Sequence, residues 1–260
     1  MKLSCVTASY VADLLGYPGE IDWSLASRKI EDRPTLATID SLLERLAPAR
    51  LDGIEFWAPH ASPANLTPAL ASAIRRRLAD RGMTCCAYAG GVPDPAKDAD
   101  GAEQVFQAAL LLKAPVIAGH LHPASVPSLG SLCAQYGIRV AFENGGESLA
   151  EILAAIKDGD PKWVGANIDT GNLAAQGGDP AQAVRELGSR IVHVHFKDVP
   201  AVGSHDCVAI GTGIVDVPAV IRALKAIGYD GWLSIEIETG DHDPTDEIVA
   251  SAATLRRLWG

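Results

Sequence analysis

Short runs rich in β-branched and aromatic residues recur along the chain. Each is followed by a stretch whose apolar positions return every three or four residues. The first pattern is that of a strand and the second that of an amphipathic helix. The spacing predicts strands over Lys2–Ser9, Leu51–Ala58, Met83–Ala89, Pro115–His120, Ile138–Glu143, Trp163–Asp169, Ile191–Val199 and Trp232–Glu238. It predicts helices over Thr35–Ala47, from Pro68 to about Asp80, over Asp98–Lys113, Val126–Tyr136 and Ser148–Lys157, from Asp179-Pro180, from Asp216 to Gly228, and from Asp243-Pro244 onward. In Thr35–Ala47 the apolar set is Leu36, Ile39, Leu42, Leu43 and Leu46, one face of a helix. Thr67 and Pro68 suit the cap and first turn of the helix they precede. Asp246 and Glu247 stand in the first turn of the last helix, where they suit its dipole. Only Tyr10–Pro34 shows no clear period.

Strand and helix thus alternate eight times. Alternation implies a parallel sheet, and eight units imply a closed (β/α)8 TIM barrel, one domain over residues 1–260. An open doubly wound sheet is the main competitor, but no Gly-x-Gly-x-x-Gly follows the first strand. The chain is 48% hydrophobic, enough for one large core. Its net charge of −10 argues against nucleic acid, whose phosphates reward a basic footprint. No apolar run is long enough to span a bilayer, so no membrane partner is expected. The start, Met1-Lys2-Leu3-Ser4-Cys5, lacks the apolar stretch of a signal peptide. The five cysteines show no Cys-x-x-Cys spacing and read as free thiols in the cytoplasm.

The chemistry gathers where strands end. Ile191–Val199 reads Ile-Val-His-Val-His-Phe-Lys-Asp-Val, which places His193, His195 and Lys197 on one face and Val192, Val194 and Phe196 on the other. In a barrel of this type the active site lies at the C-terminal ends of the strands. Strands five to eight end in Glu143, Asp169, His195 and Glu236. Three carboxylates and an imidazole converging without a cation would repel one another and lose solvation. One divalent metal ion resolves the conflict, and mixed oxygen and nitrogen ligands suit Mn, Zn, Co or Mg.

These residues resemble the xylose isomerase-like barrel superfamily of sugar isomerases and epimerases, which also contains endonuclease IV. The resemblance rests on Phe142-Glu143-Asn144, Ile168-Asp169-Thr170-Gly171-Asn172, His193-Val194-His195-Phe196-Lys197-Asp198, Gly211-Thr212-Gly213 with Asp216, and Gly228-Tyr229-Asp230-Gly231 leading to Ser234-Ile235-Glu236. It implies that Glu143, Asp169, His195 and Glu236 bind one metal ion. It also implies that Glu143 and Glu236 form the acid–base pair. Two features depart from the ketose 3-epimerases: Asn172 stands where they carry a His, and no Arg follows His195 in Lys197-Asp198-Val199-Pro200-Ala201. Lys-Asp at this place is similar to the branch that includes inositol-catabolism isomerases and dehydratases.

The expected substrate is a small sugar or polyol-derived molecule, such as a keto-sugar or an inosose. A cation polarises its carbonyl and makes the neighbouring C–H acidic. One carboxylate then removes a proton and another returns it through an enediolate. The product decides between isomerase, epimerase and dehydratase or lyase. A barrel that binds sugar without turnover, and a nuclease on the same fold, are the other readings. Lys197, Glu55, Trp57, His120 and Asn172 are expected to touch substrate, and His193 to lie behind His195. Trp23 can stack on a sugar or serve a partner subunit in a homo-oligomer. Gly211-Thr212-Gly213 reads as a plain turn in preference to a phosphate cradle, and His205-Asp206 is given no role.

Overall fold

Each predicted strand forms, trimmed at its ends. The computed structural model describes residues 1–33 and 35–260. The strands are β1 (Lys2–Val6), β2 (Gly53–Trp57), β3 (Thr84–Ala89), β4 (Val116–Gly119), β5 (Arg139–Glu143), β6 (Val164–Asp169), β7 (Ile191–Phe196) and β8 (Trp232–Ile235). Neighbours in sequence are neighbours in space and parallel, and β1 pairs with β8, so the sheet closes into a (β/α)8 barrel. The helices are α1 (Trp23–Glu31), α2 (Thr35–Leu46), α3 (Pro68–Ala79), α4 (Ala99–Leu112), α5 (Val126–Tyr136), α6 (Leu149–Ile156), α7 (Thr170–Ala175), α8 (Pro180–Leu187), α9 (Val217–Ala226) and α10 (Thr245–Trp259).

Two helices were not expected. The stretch without a period contains α1, opened by Asp22, whose side chain accepts from Leu25 N at 2.8 Å. Its buried face is only Ala26 and Ile30, too narrow to announce itself as a repeat. Pro34, which ends that stretch, lies outside the described residues. The second, α7, follows β6 directly, with Asp169 as its cap.

Outward-facing Phe56, Phe142, Phe196 and Ile235 pack with the apolar faces of the helices in the main core. Inside the barrel a smaller cluster forms from Cys86, Ala87, Val116, Ala118, Ala141 and Val192, with Trp232 against it. Val192 corrects the strict alternation read for β7. Ile191 partners Ala166 while His193 partners Asn167, so Val192 is an extra residue. Such a bulge swings one side chain to the other face. Gly165 leaves the room: a Cβ there would stand 2.2 Å from Arg190 O and 2.4 Å from Val192 Cγ2. All five cysteines are buried and free. No helix among the described residues is long and apolar enough to cross a membrane.

Candidate metal centre and active site

β5, β6, β7 and the end of β8 deliver Glu143, Asp169, His195 and Glu236 to one point. One ligand atom from each lies within 4.8 Å of the others. Register accounts for part of this, since Asp169 pairs with His195 and His195 with Ser234, two residues before Glu236. Asparagines fix the strand ends. Asn144 donates to Asp169 O at 3.0 Å and accepts from Asp169 N at 2.9 Å, and Asn167 Oδ1 accepts from His195 N at 3.1 Å. The Thr170 hydroxyl donates to Lys197 O at 2.6 Å and accepts from Lys197 N at 3.0 Å.

The tautomer of His195 follows from its partners. Glu55 is completely buried between two imidazoles, with Oε2 2.7 Å from His193 Nε2 and Oε1 3.1 Å from His195 Nε2. Burial alone would raise the carboxyl pKa, but the two imidazoles outweigh it and hold Glu55 well below the usual range. An ionised carboxylate only accepts, so both Nε2 atoms carry hydrogen. His195 Nδ1 then faces Glu143 Oε1 at 3.0 Å and Glu236 Oε2 at 3.2 Å. Burial opposes a charge on this ring, yet Glu236, Glu55 and Glu143 push its pKa well above the ordinary value. The site therefore favours positive charge at Nδ1. Glu55, His193 and His195 form a second possible ligand group, but their mutual hydrogen bonds occupy both Nε2 atoms and both Glu55 oxygens.

The residues fit a divalent cation by another sign. Asp169 Oδ2 and Glu236 Oε2 are buried and have no hydrogen-bond partner among the described residues. Their charge is met by ion pairs alone, from Lys197 to both and from His195 Nδ1 to Glu236. Asp169 Oδ1, by contrast, is held by Asn172 N at 2.9 Å. Lys197 Nζ lies 3.0 Å from Asp169 Oδ2 and 3.1 Å from Glu236 Oε2, while its hydrogen bond goes to Glu238 Oε2 at 2.9 Å. Burial, joined by Glu236 and Glu143, raises Asp169 to about 6 against the pull of Lys197. Burial also raises Glu238 to about 8. One lysine does not balance this many carboxylates.

A cavity of about 460 Å³ opens above the cluster, within the usual size range of a small-molecule site. Glu143, His195, Lys197, Glu236, Trp57, His120 and Asn172 all line it. Asn172 also donates its amide to Asn144 O at 3.0 Å. Glu55, expected at the substrate, does not line the cavity: it is sealed beneath His195, and His193 lies beneath it in turn. Glu238 lines the cavity and went unassigned in the sequence, although its place two residues beyond Glu236 was a usable signal. Asn144, Asn167 and Thr170 act through cross-strand contacts that spacing does not reveal.

A closed parallel barrel with a carboxylate-rich pocket at the strand C-termini has the layout of a TIM-barrel enzyme. The chain belongs to the xylose isomerase-like TIM barrel family, whose sequence profile matches residues 43–258. The inosose dehydratase of Geobacillus thermodenitrificans is 32% identical over 130 residues, 42% of this chain and 44% of that protein. The inosose dehydratase of Lactiplantibacillus plantarum is 32% identical over 129 residues, 42% of this chain and 43% of that one. The matches span less than half the length of these relatives. Among solved structures, a xylose isomerase domain protein from Planctomyces limnophilus superposes with a TM-score of 0.71 at 24% identity, covering 83% of this chain and 90% of that one. An L-ribulose 3-epimerase gives 0.72 at 20% identity, covering 100% and 95%. At these identities the likeness is one of fold.

Proposed function

We propose that this chain is a divalent-metal-dependent isomerase or epimerase that moves a proton on the carbon beside the carbonyl of a sugar, keto-sugar or inosose. The observation that carries the proposal is the convergence of Glu143, Asp169, His195 and Glu236, which bring one possible ligand atom each to within 4.8 Å of the others. Glu143, Asp169, His195 and Glu236 would hold one ion. When bound, the ion supplies positive charge that polarises the substrate carbonyl and stabilises the enediolate. Glu143 and Glu236 come from different strands, β5 and the end of β8, and both line the cavity. One takes the proton from the α carbon and the other returns it. Return to the neighbouring carbon gives an isomerase; return to the same carbon from the other face gives an epimerase. Asp169, with one oxygen tied to Asn172, serves as a ligand rather than as a base. Glu55 holds the His195 ring in orientation from behind.

A second reading is a dehydratase. Lys197 sets an ammonium 3.1 Å from Glu236 Oε2, an acid beside a base, as loss of a β-hydroxyl as water requires. The names of the curated relatives point the same way. Ketoses and inososes incubated in D2O and followed by proton NMR test both readings. Exchange at the α carbon with a rearranged sugar supports the first, and a conjugated product absorbing in the ultraviolet supports the second. Glu143→Gln and Glu236→Gln should each slow exchange by about 10²–10⁴-fold. Near-wild-type exchange in both variants overturns the acid–base assignment.

A further inference from the structure

The pocket does not end at Lys197. A second chamber of about 660 Å³ opens beyond it, larger than the inner one at about 460 Å³. Trp23, Asn172, Lys197 and Glu238 line both chambers, so the two meet along one seam. The outer wall is built from the loops after β1, β7 and β8 and includes His205, Asp206 and Asp241. The first and last of these loops are tied together: Gly19 N donates to Gly240 O at 2.8 Å. A Cβ on Gly240 would stand 1.9 Å from Gly19 O, so this seam needs glycine.

Two independent features say what the outer chamber takes. Trp23 is 41% exposed at the seam, its ring edge-on to Trp57 with centroids 5.4 Å apart. A partly exposed indole offers a flat apolar platform beside polar groups. A sugar ring matches it, with a C–H face to stack and hydroxyls at its rim. The second feature concerns phosphate, which barrels often bind after strands seven and eight. Here four backbone amides of the loop after β7 are already taken. Asp198 Oδ2 accepts from Gly211 N and Gly213 N, both at 2.9 Å, and Oδ1 accepts from Val199 N and Val215 N, both at 3.0 Å. A Cβ on Gly213 would stand 2.3 Å from Asp198 Oδ1, so the carboxylate fills the turn. Asp206 and Asp241 add negative charge to the chamber, and neither has an ion-pair partner among the described residues. Lys197 is already shared among Asp169, Glu236 and Glu238.

We infer that the substrate is an unphosphorylated two-ring glycoside, with its reacting ring in the inner chamber and a second uncharged sugar ring stacked on Trp23 in the outer one. The inference rests on the sugar chemistry proposed above and names its substrate class. The test is calorimetry on manganese-loaded protein with glucose-, galactose- and mannose-based disaccharides, their monosaccharides, and glucose 6-phosphate. At least one disaccharide should bind tenfold or more tightly than its monosaccharide. Trp23→Ala should remove that advantage, cutting disaccharide affinity at least fivefold more than monosaccharide affinity. Glucose 6-phosphate should bind no better than glucose. Wild type should show no inorganic phosphate binding. Preferential binding of the phosphate ester, equal affinity for one ring and two, or equal losses for both in Trp23→Ala would overturn the inference. Silence of every sugar would overturn it as well, and metal content in wild type against His195→Ala then decides separately whether the metal-site reading stands.

Discussion

Glu55 shows how a residue that touches no substrate can govern a site. Both its oxygens meet imidazole N–H groups, which leaves His195 Nδ1 aimed at the carboxylates. Glu55→Gln would turn an N–H toward one of those N–H groups and disturb the ring. Manganese affinity should fall by about 10–100-fold, read by calorimetry, with the fold intact. His60, whose ring packs against Trp57, matters for stability instead. It is buried, its Nδ1 has no partner among the described residues, and burial lowers its pKa from 6.5 to about 3. Below pH 6.5 the unfolded chain therefore takes up a proton that the folded chain refuses until about pH 3, so stability falls with acidification through that window. His60→Phe should lose about 2 kcal/mol less than wild type between pH 7 and pH 5, measured by urea denaturation. Residue type and strand position made Glu143, Asp169, His195 and Glu236 legible as candidates. Depth was not legible: alternation gave the face of Glu55 but not that His195 lies above it.

At the scale of elements, caps and apolar repeats were the dependable signals. Asp98, Ser148, Asp179 and Asp216 cap the helices that their neighbours' periodicity announced. Ser148 and Glu151 form a reciprocal capping box, a strong local start signal. The bulge in β7 was not legible, because counting by twos assumes that no residue is inserted, and only the pairing with β6 reveals Val192 as the extra one. Gly165→Ala tests that account. Its Cβ meets the Arg190 carbonyl and Val192, so the variant should lose about 1–3 kcal/mol in thermal melts. Unchanged stability would mean that the bulge gives way readily.

At the scale of the molecule, negative charge is concentrated at one end of the barrel. Glu55, Glu143, Asp169, Glu236 and Glu238 lie at or beneath the pocket of a chain whose net charge is already −10. A cation bound only by the folded state stabilises it by mass action, about 2.7 kcal/mol at one hundred times its dissociation constant. Saturating manganese should therefore raise Tm by roughly 5–10 °C, and a chelator should reverse the shift. The same treatment of His195→Ala should move Tm little. The barrel itself was legible from eightfold alternation, whereas the outer chamber depends on loops whose meeting no local pattern encodes.

The joining of β1 to β8 also sets an order of events during translation. Until Trp232–Ile235 has left the ribosome, β1 lacks one of its two partners and keeps a bare edge. Glu143, Asp169 and His195 leave the ribosome before β8, and Glu236 follows directly behind it. At about 5–20 residues per second, the interval between His195 and Glu236 lasts seconds. A nascent chain thus has no four-residue cluster, and the step that seals the barrel is also the step that completes the candidate metal site.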